Sequence, residues 1–239
     1  MPPEIQTPPN FMEWKELSSL VGSLRTRSLV ARPKTIEQCR EALAYCRQHG
    51  MTICARGAGR GYGDLALNDG HALLDMSAMN RILDFDEEAA QITVEAGIRI
   101  IDIYQAVHHR LLTLHASPTE SHSSVAGAIC ANVNGKDAWH HGSFAHQIVR
   151  LTFLLADGET LIIDRSHELF NAVVGGIGTD RSARQRHGIR LQHLRPDVVA
   201  EDRGRERDVL SVRCRGTADR ATGCVGPRQL HGLRRVGSQ

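Results

Sequence analysis

The sequence is poor in several residue types that mark particular protein classes. It holds only 10 aromatic residues and three lysines among 239 residues. Its six cysteines form no C-x-x-C pair, so neither a zinc ribbon nor a disulfide scaffold is indicated. No stretch approaches the ~18 apolar residues of a membrane-spanning helix, and the first twenty residues carry four prolines in place of an apolar signal segment. We therefore expect a cytoplasmic protein without a membrane span.

What is present is an ordinary globular composition that changes sharply near Gly178. Hydrophobic residues make up 41% of the chain, enough for one large domain or two small ones. Residues 1–178 hold 15 basic and 20 acidic side chains, whereas residues 179–239 hold 14 basic and 7 acidic ones. Those 14 basic residues are all arginine, and every lysine and aromatic residue precedes Thr179.

The last quarter of the chain shows neither a helical nor a strand period, so we predict a disordered tail over residues 179–239. A basic arm that contacts nucleic-acid phosphates is one interpretation, but no interleaved aromatics or binding motif support it. The hypothesis we prefer concerns the gene: the natural reading frame is lost near Gly178. Out-of-frame translation of a GC-rich gene produces arginine-rich, lysine-free sequence of this kind.

The part before Gly178 has the periodicity of folded α/β structure. Apolar residues recur at helical spacing from Ile36 to Cys46. Thr35 precedes them as a candidate N-cap, and Gly50 follows as a signal that ends the helix. Asp157-Gly158 predicts a tight hairpin turn. The remaining patterns predict strands at 52–55, 72–76, 91–95, 148–155 and 160–163, helices at 100–111 and 124–131, and a short helix capped by Ser166.

A glycine-rich loop follows the first of these strands. Its four glycines let the backbone turn sharply and direct several N–H groups into one concavity, which suits a phosphate or pyrophosphate. A Rossmann fingerprint is excluded by the spacing at Tyr62, and a Walker A loop is excluded because Asp137 follows Lys136. A glycine-rich turn without a ligand is the alternative. The loop consists of Arg56, Gly57, Ala58, Gly59, Arg60, Gly61, Tyr62, Gly63 and Asp64.

A second segment, residues 118–137, is made largely of small side chains, which allow a flat ring system to approach the backbone closely. Two further glycine-centred motifs follow it, Gly142–Phe144 and Gly175–Gly178. Together with the glycine loop, these sites could converge on one extended planar cofactor.

In this order the motifs resemble the FAD-binding domain of the vanillyl-alcohol oxidase and p-cresol methylhydroxylase (PCMH-type) flavoproteins. Within that family, the Gly-x-Gly-Arg-x-Tyr-Gly-Asp loop and the Gly-Lys segment are most similar to the decaprenylphosphoryl-ribose 2-oxidase-like sugar oxidases. The motifs that carry the resemblance are the glycine loop, Leu74–Asn80, Val94–Gly97, Val125–Ile129, Asn134–Lys136, Gly142–Phe144, Ala156–Gly158 and Gly175–Gly178.

The resemblance covers about residues 28–178 and implies an α+β fold of the PCMH type, built from two α/β subdomains and truncated at its C-terminus. Residues 1–27 are then an N-terminal extension. The glycine loop would bind the FAD pyrophosphate. The other residues expected at the cofactor are Pro118, Thr119, Ser124, Gly127, Ala128, Asn134, Gly135, Gly142, Ser143, Gly176 and Gly178.

Two side chains receive particular roles from the resemblance. Arg60 stands where some relatives carry the histidine that tethers the flavin covalently, and since arginine is not a nucleophile we expect noncovalent FAD. Lys136 would act catalytically at the flavin edge, by stabilising the anionic reduced ring or orienting a substrate oxygen. A solvated loop lysine is the alternative for Lys136. No metal site is predicted, because His140, His141 and His146 lack a cysteine or suitably spaced carboxylate partner.

The activity that the resemblance implies is flavin-dependent oxidation of an alcohol carbon in a small-molecule sugar or polyol, with hydride passing to flavin N5. Two departures bear on the substrate: Asn134 replaces a histidine, and Thr119-Glu120 replaces a Gly-Thr pair. The family's second domain, which caps the flavin, is expected to be missing from this chain. A flavin-binding remnant without catalysis is therefore one alternative, and a basic-tailed nucleic-acid binder is another.

Overall fold

The computed structural model describes residues 7–136, 138–176, 196–197 and 210–216, and these form two β-sheets with short helices. The strands are β1 (Met12–Ser18), β2 (Arg25–Ala31), β3 (Ile53–Arg56), β4 (Ala72–Asp75), β5 (Ile82–Asp86), β6 (Gln91–Val94), β7 (Leu112–Leu114), β8 (Ile148–Leu154), β9 (Thr160–Asp164), β10 (Pro196–Asp197) and β11 (Leu210–Gly216). The helices are α1 (Ile36–Gln48), α2 (Ile100–Val107), α3 (Val125–Cys130), α4 (Ala138–His141) and α5 (Phe170–Val173).

Helix α1 forms where the apolar spacing predicts it. The Thr35 hydroxyl accepts a hydrogen bond from the Gln38 N–H and so satisfies a donor that the first turn leaves unpaired. The residues buried on its inner face are Ile36, Cys39, Ala42, Leu43 and Cys46. Burial raises the pKa of the Cys46 thiol to about 11, so this group behaves as a small apolar side chain.

The first sheet has the strand order β1-β2-β4-β3. Strand β4 pairs in parallel with β2 and with β3. Strand β1 pairs antiparallel with β2, so that Met12 lies opposite Ala31 and Ser18 lies opposite Arg25. The parallel strands β3 and β4 read as almost uninterrupted apolar runs because both faces are covered. The glycine loop is part of the connection from β3 to β4, and this places it at the carboxyl end of a buried strand.

The second sheet is antiparallel and runs β10-β8-β11-β6-β5, with β9 on β8 and β7 on β11. Strands β8 and β9 form the predicted hairpin around Gly158, whose φ of +96° is the conformation that glycine tolerates. The two sheets share one hydrophobic cluster, which includes Leu29 and Leu74 from the first sheet and Ile92, Leu151 and Ile163 from the second.

The beginning of the fold departs from the sequence prediction. Strand β1 and the first residues of β2, which the sequence did not predict, lie within residues 1–27, and β1 forms an edge of the first sheet. The strand pattern of β1 is hidden because it is an exposed edge strand: only Met12 is buried among its seven residues. Strands β5 and β7 were also missed, since they are short and only partly buried.

The tail departs from the prediction at two places. The sequence predicted no regular structure after Gly178, but β10 and β11 lie there. Strand β11 fills the gap between β6 and β8, where unpaired backbone groups offer a row of hydrogen-bond partners. Its sequence, Leu-Ser-Val-Arg-Cys-Arg, alternates apolar and polar residues, a strand signal that we overlooked. Gly178 lies outside the described residues, as do all of residues 179–239 except 196–197 and 210–216.

The helix expected from Ser166 was misplaced. Ser166 does not begin a helix; its N–H and hydroxyl both donate to the Asp164 carboxylate in the turn after β9. The helix in this region is α5, whose N-cap is Leu169, three residues after the cap that the sequence predicted. A serine beside an aspartate forms a turn as readily as a cap, which explains the error.

Candidate functional site

A cleft lies between the glycine loop and helix α3. Its volume is about 180 Å³, smaller than the roughly 300–1,000 Å³ of a site that encloses a whole drug-sized ligand. It therefore suits one part of an extended ligand. The lining residues are Gly57, Ala58, Gly59, Arg60, Gly61, Leu65 and Ala66 on one wall, and Ser123, Ser124, Gly127, Ala128, Cys130, Ala131 and Val133 on the other.

The glycine loop is held in place from behind by Arg56. The Arg56 guanidinium donates to the carbonyl of Ala66 at 2.9 Å and to that of Ser18, at the end of β1, at 3.1 Å. Gly59 adopts a φ of +67°, and a Cβ on it would lie 2.9 Å from Cζ of Arg56. The backbone conformation at position 59 therefore favours glycine, and a side chain there would also displace the arginine packed beneath it.

The loop leaves a row of backbone donors without protein partners. Within the described residues, the N–H groups of Ala58, Gly59, Arg60 and Gly61 donate no hydrogen bond, although the Gly61 carbonyl accepts one from Leu20. Successive unpaired N–H groups in a tight turn form an anion-binding concavity. This is the chemistry that a pyrophosphate requires, so the glycine loop fits that group of a dinucleotide cofactor.

Helix α3 contributes a surface and not a set of donors. The N–H groups of its first turn are used within the protein: Val125 donates to Ile98, Ala126 to Ala96, and Gly127 to the Ser124 hydroxyl. Its cleft-facing side chains are no larger than that of cysteine. This wall therefore fits the flat, apolar side of a ring system that approaches the backbone closely.

Arg60 and Glu120 connect the two walls. Arg60 Nε lies 3.1 Å from Oε2 of Glu120, and each side chain is 38% exposed. Partial burial alone would raise the pKa of Glu120, but hydrogen bonds from the His122 N–H, Arg60, Ser123 and the His122 ring together hold it below its ordinary value. Glu120 is therefore ionised at neutral pH and presents a full negative charge to Arg60.

The segment after α3 is anchored by contacts that lie outside the cleft. Asn132, with a φ of +42°, accepts a hydrogen bond from the Ala145 N–H at 3.0 Å. A Cβ on Gly135 would lie 2.9 Å from the Ser117 carbonyl carbon, so only glycine fits there. Lys136 follows directly, is exposed, and is not a lining residue of the cleft.

The structure thus brings together part of the predicted cofactor set. Gly57 to Gly61, Ser124, Gly127 and Ala128 line one cleft, and their contact with a cofactor stays a prediction. The structure does not place the following predicted residues among the lining: Arg56, Tyr62, Gly63, Asp64, Pro118, Thr119, Asn134, Gly135, Lys136, Gly142, Ser143 and Gly176. Gly178 lies outside the described residues.

Sequence reasoning missed several lining residues. Leu65, Ala66, Ser123, Ala131 and Val133 border the cleft but belong to no recognisable motif. Their signal is position alone: Leu65 and Ala66 directly follow the glycine loop, and Ser123, Ala131 and Val133 lie within the small-residue segment 118–137. Cys130 is buried and also borders the cleft.

Two kinds of feature are absent from the residues that the structure describes. Among them, no group of three or more histidine, cysteine, aspartate or glutamate side chains is arranged to hold a metal ion. Nor does any helix within the described ranges combine the length and the apolarity needed to cross a bilayer.

Comparison with known proteins identifies what the chain is similar to. Residues 28–164 match a family described as an FAD binding domain. The chain is 31% identical over 175 residues to decaprenylphosphoryl-β-D-ribose oxidase from Mycolicibacterium smegmatis, a match that covers 72% of this chain and 37% of that protein. It is 35% identical over 129 residues to L-gulonolactone oxidase from Mus musculus, covering 54% of this chain and 29% of that protein.

The fold has a counterpart among solved structures. It superposes on 6-hydroxy-D-nicotine oxidase from Arthrobacter nicotinovorans with a TM-score of 0.63 and 19% identity, covering 80% of this chain and 37% of that one. At this identity the likeness concerns the fold alone. In each of these comparisons the chain spans well under half of the relative's length.

Proposed function

The chain belongs to the family of FAD binding domains, and on that basis we propose that it is the FAD-binding part of an oxidoreductase acting on the CH–OH group of a small sugar, lactone or polyol. The described portion is a PCMH-type mixed α/β fold, and its cofactor is FAD. The curated relatives include oxidases named for a ribose derivative and for a lactone. Those names are the support for the proposed substrate class.

The observation that carries the proposal is the cleft between the glycine loop and α3. One wall offers the unpaired N–H groups of residues 58–61, which suit a pyrophosphate, and the other offers small side chains, which suit a flat ring. A glycine turn without a ligand would not need a facing wall of this kind. We assign the lining residues to FAD, and the other predicted residues, apart from Arg56 and Lys136, to contacts with its remaining parts.

When bound, FAD supplies the oxidising chemistry by accepting hydride at N5. The chain's own part is to hold the cofactor and exclude water from the α3 side of the cleft. Arg60 does not offer a nucleophile at the position where some relatives attach the flavin, and its guanidinium is already paired with Glu120. We therefore propose that FAD is held without a covalent bond.

The experiment that tests this proposal is an absorbance spectrum of the purified full chain from 300 to 550 nm, recorded before and after acid precipitation. A yellow protein that releases its colour into the supernatant supports noncovalent FAD. Colour that stays in the pellet would overturn noncovalent binding, and a colourless folded protein that does not take up added FAD would overturn the assignment of the cleft. Turnover of sugars, lactones or polyols then separates an oxidase from a flavin-binding remnant.

Lys136 is the residue that we propose for catalysis. Its exposed side chain lies outside the cleft lining, so its expected role is toward substrate or reduced cofactor and not toward FAD affinity. Lys136→Met should leave the flavin content unchanged and lower the reduction potential of bound FAD, because a cation favours the anionic reduced form. Equilibration with a redox dye measures this. An unchanged potential and unchanged turnover would make Lys136 a solvated loop residue.

A further inference from the structure

Glu120 links the two walls of the cleft without lining it. Its Oε2 accepts hydrogen bonds from Arg60 Nε and from Ser123 Oγ, both at 3.1 Å. Arg60 belongs to the glycine-loop wall and Ser123 to the α3 wall, and both line the cleft. Since sixty residues separate Arg60 from Glu120 in sequence, this carboxylate joins segments that the chain itself does not hold together.

The carboxylate is oriented by its own segment before it meets Arg60. Oε1 accepts from the His122 backbone N–H at 2.9 Å and lies 3.0 Å from Nδ1 of the same residue. The segment is in turn fastened to the start of α2, where Ile100 donates to the Ser123 carbonyl and Ile101 to the Ser121 carbonyl. One side of the link is therefore rigid.

The other side of the link is the glycine loop, whose backbone carries few side chains to restrict it. Four glycines lie between Arg56 and Asp64, and ordering such a backbone costs more than ordering one with side chains. Arg56 and Leu20 hold the loop from the side of the first sheet. The Arg60–Glu120 pair fastens the loop across the cleft.

We propose that Glu120 is a positioning residue for the cofactor: through Arg60 it holds the glycine loop at a set distance from the α3 wall, so that the loop amides are arranged for FAD before it binds. This inference rests on the proposed use of the cleft for FAD. A site that is ordered in advance binds more tightly because less conformational entropy is lost on binding.

The test is a titration of the flavin-free full chain with FAD, followed by quenching of flavin fluorescence. Glu120→Ala removes the link and should weaken binding by roughly three- to ten-fold, the range for a half-exposed ion pair together with its shared hydrogen bonds. Glu120→Gln keeps the volume and one acceptor oxygen, so it should recover part of the affinity. The matched control is Glu87→Ala, which removes the exposed 2.9 Å pair with Arg110 and should leave FAD affinity unchanged.

A double-mutant cycle shows whether Glu120 acts through Arg60. In an Arg60→Ala background, Glu120→Ala should weaken FAD binding little further, because the link is already broken. Additive effects, or a Glu120→Ala chain that binds FAD as tightly as the unmodified one, would overturn the inference. If Glu120→Ala does not fold, Glu120→Gln carries the same comparison. Failure of the unmodified chain to bind FAD would instead overturn the proposed function, and the inference with it.

Discussion

Single residues in the glycine loop are chosen by what lies beneath them. Gly59 has a positive φ, and the Arg56 guanidinium that packs against it bonds carbonyls on both sides of the loop. A side chain at position 59 would strain the backbone and also displace the guanidinium. Gly63, in the same loop, has neither constraint, since nothing lies within 4 Å of a Cβ built there.

Gly59→Ala should therefore lower the free energy of unfolding by about 1–3 kcal/mol, the usual cost of a residue forced into such a conformation. It should also weaken FAD binding, because the amides of residues 58–61 shift with the loop. Urea denaturation and an FAD titration measure the two effects. Gly63→Ala is the stability control in the same loop, and an equal loss of unfolding free energy in both variants would contradict this account.

The pair formed by Arg99 and Asp102 makes the start of α2 sensitive to pH. Arg99 donates to both oxygens of Asp102 at 2.8 and 2.7 Å, and its backbone N–H donates to the same carboxylate. The Arg99 hydrogen bonds hold the pKa of Asp102 below its usual value, with partial burial acting in the opposite direction. The folded state thus favours the ionised form of Asp102.

A carboxylate whose pKa is lowered by folding stabilises the protein above its unfolded pKa, about 3.9 for aspartate, and this contribution is lost as the pH falls through the folded value. Asp102→Asn should thus cost less than about 1 kcal/mol at pH 7, since the pair is partly exposed. The difference between variant and parent should diminish as the pH falls below about 3.9. Thermal unfolding over pH 2.5–7 checks this, and a difference that grows toward acid would contradict it.

At the scale of elements, α3 serves the site by being short and lined with small side chains. Its first-turn N–H groups are all occupied, so it cannot act as an anion site and works instead as a surface. Ala131, at its C-terminal end, is exposed and lines the cleft. A larger side chain there fills the cleft without entering the core.

Ala131→Phe should weaken FAD binding by about ten-fold or more, because overpacking a close contact costs roughly 1–3 kcal/mol. The thermal midpoint without FAD should stay unchanged. Calorimetric titration and thermal unfolding separate these outcomes. Ala89→Phe, at an exposed position in the turn between β5 and β6, is the matched control. Unaltered FAD affinity in Ala131→Phe would place the ring system elsewhere.

Elements with strong local signals were predictable, and edge elements were not. The spacing around Thr35 and the Asp157-Gly158 turn correspond to α1 and the β8–β9 hairpin within a residue or two. Strand β1 was missed because an exposed edge strand carries little apolar alternation. Strand β11 was missed because its alternation is embedded in an arginine-rich segment whose composition suggested disorder.

At the scale of the whole molecule, the second sheet is continuous only because β11 lies between β6 and β8. It pairs with β6 along Leu210–Arg213 and with β7 along Cys214–Gly216. Strand β8 already holds β9 on one edge, so β10 and β11 share its other edge. Without them, β6 and β8 would each expose an unpaired edge.

Truncation after residue 178 should therefore lower the thermal midpoint by about 5 °C or more and promote aggregation, because open strand edges pair with other chains. Truncation after residue 216 keeps β10 and β11 and should behave as the full chain does. Thermal unfolding and light scattering compare the three proteins. If the protein that ends at residue 178 unfolded and scattered light as the full chain does, β11 would contribute nothing to stability.

The order of motifs along the chain was enough to show the resemblance to an FAD-binding domain, and those motifs can be recognised because glycine density and small-residue runs are local properties of sequence. Which of those residues meet is not local. Three features depend on how two sheets pack around one core. They are the contact between Arg60 and Glu120, the hydrogen bonds that Arg56 donates to backbone carbonyls, and the exposure of Lys136. Contacts between distant segments are decided by packing and backbone hydrogen bonding, and only the folded chain assembles them.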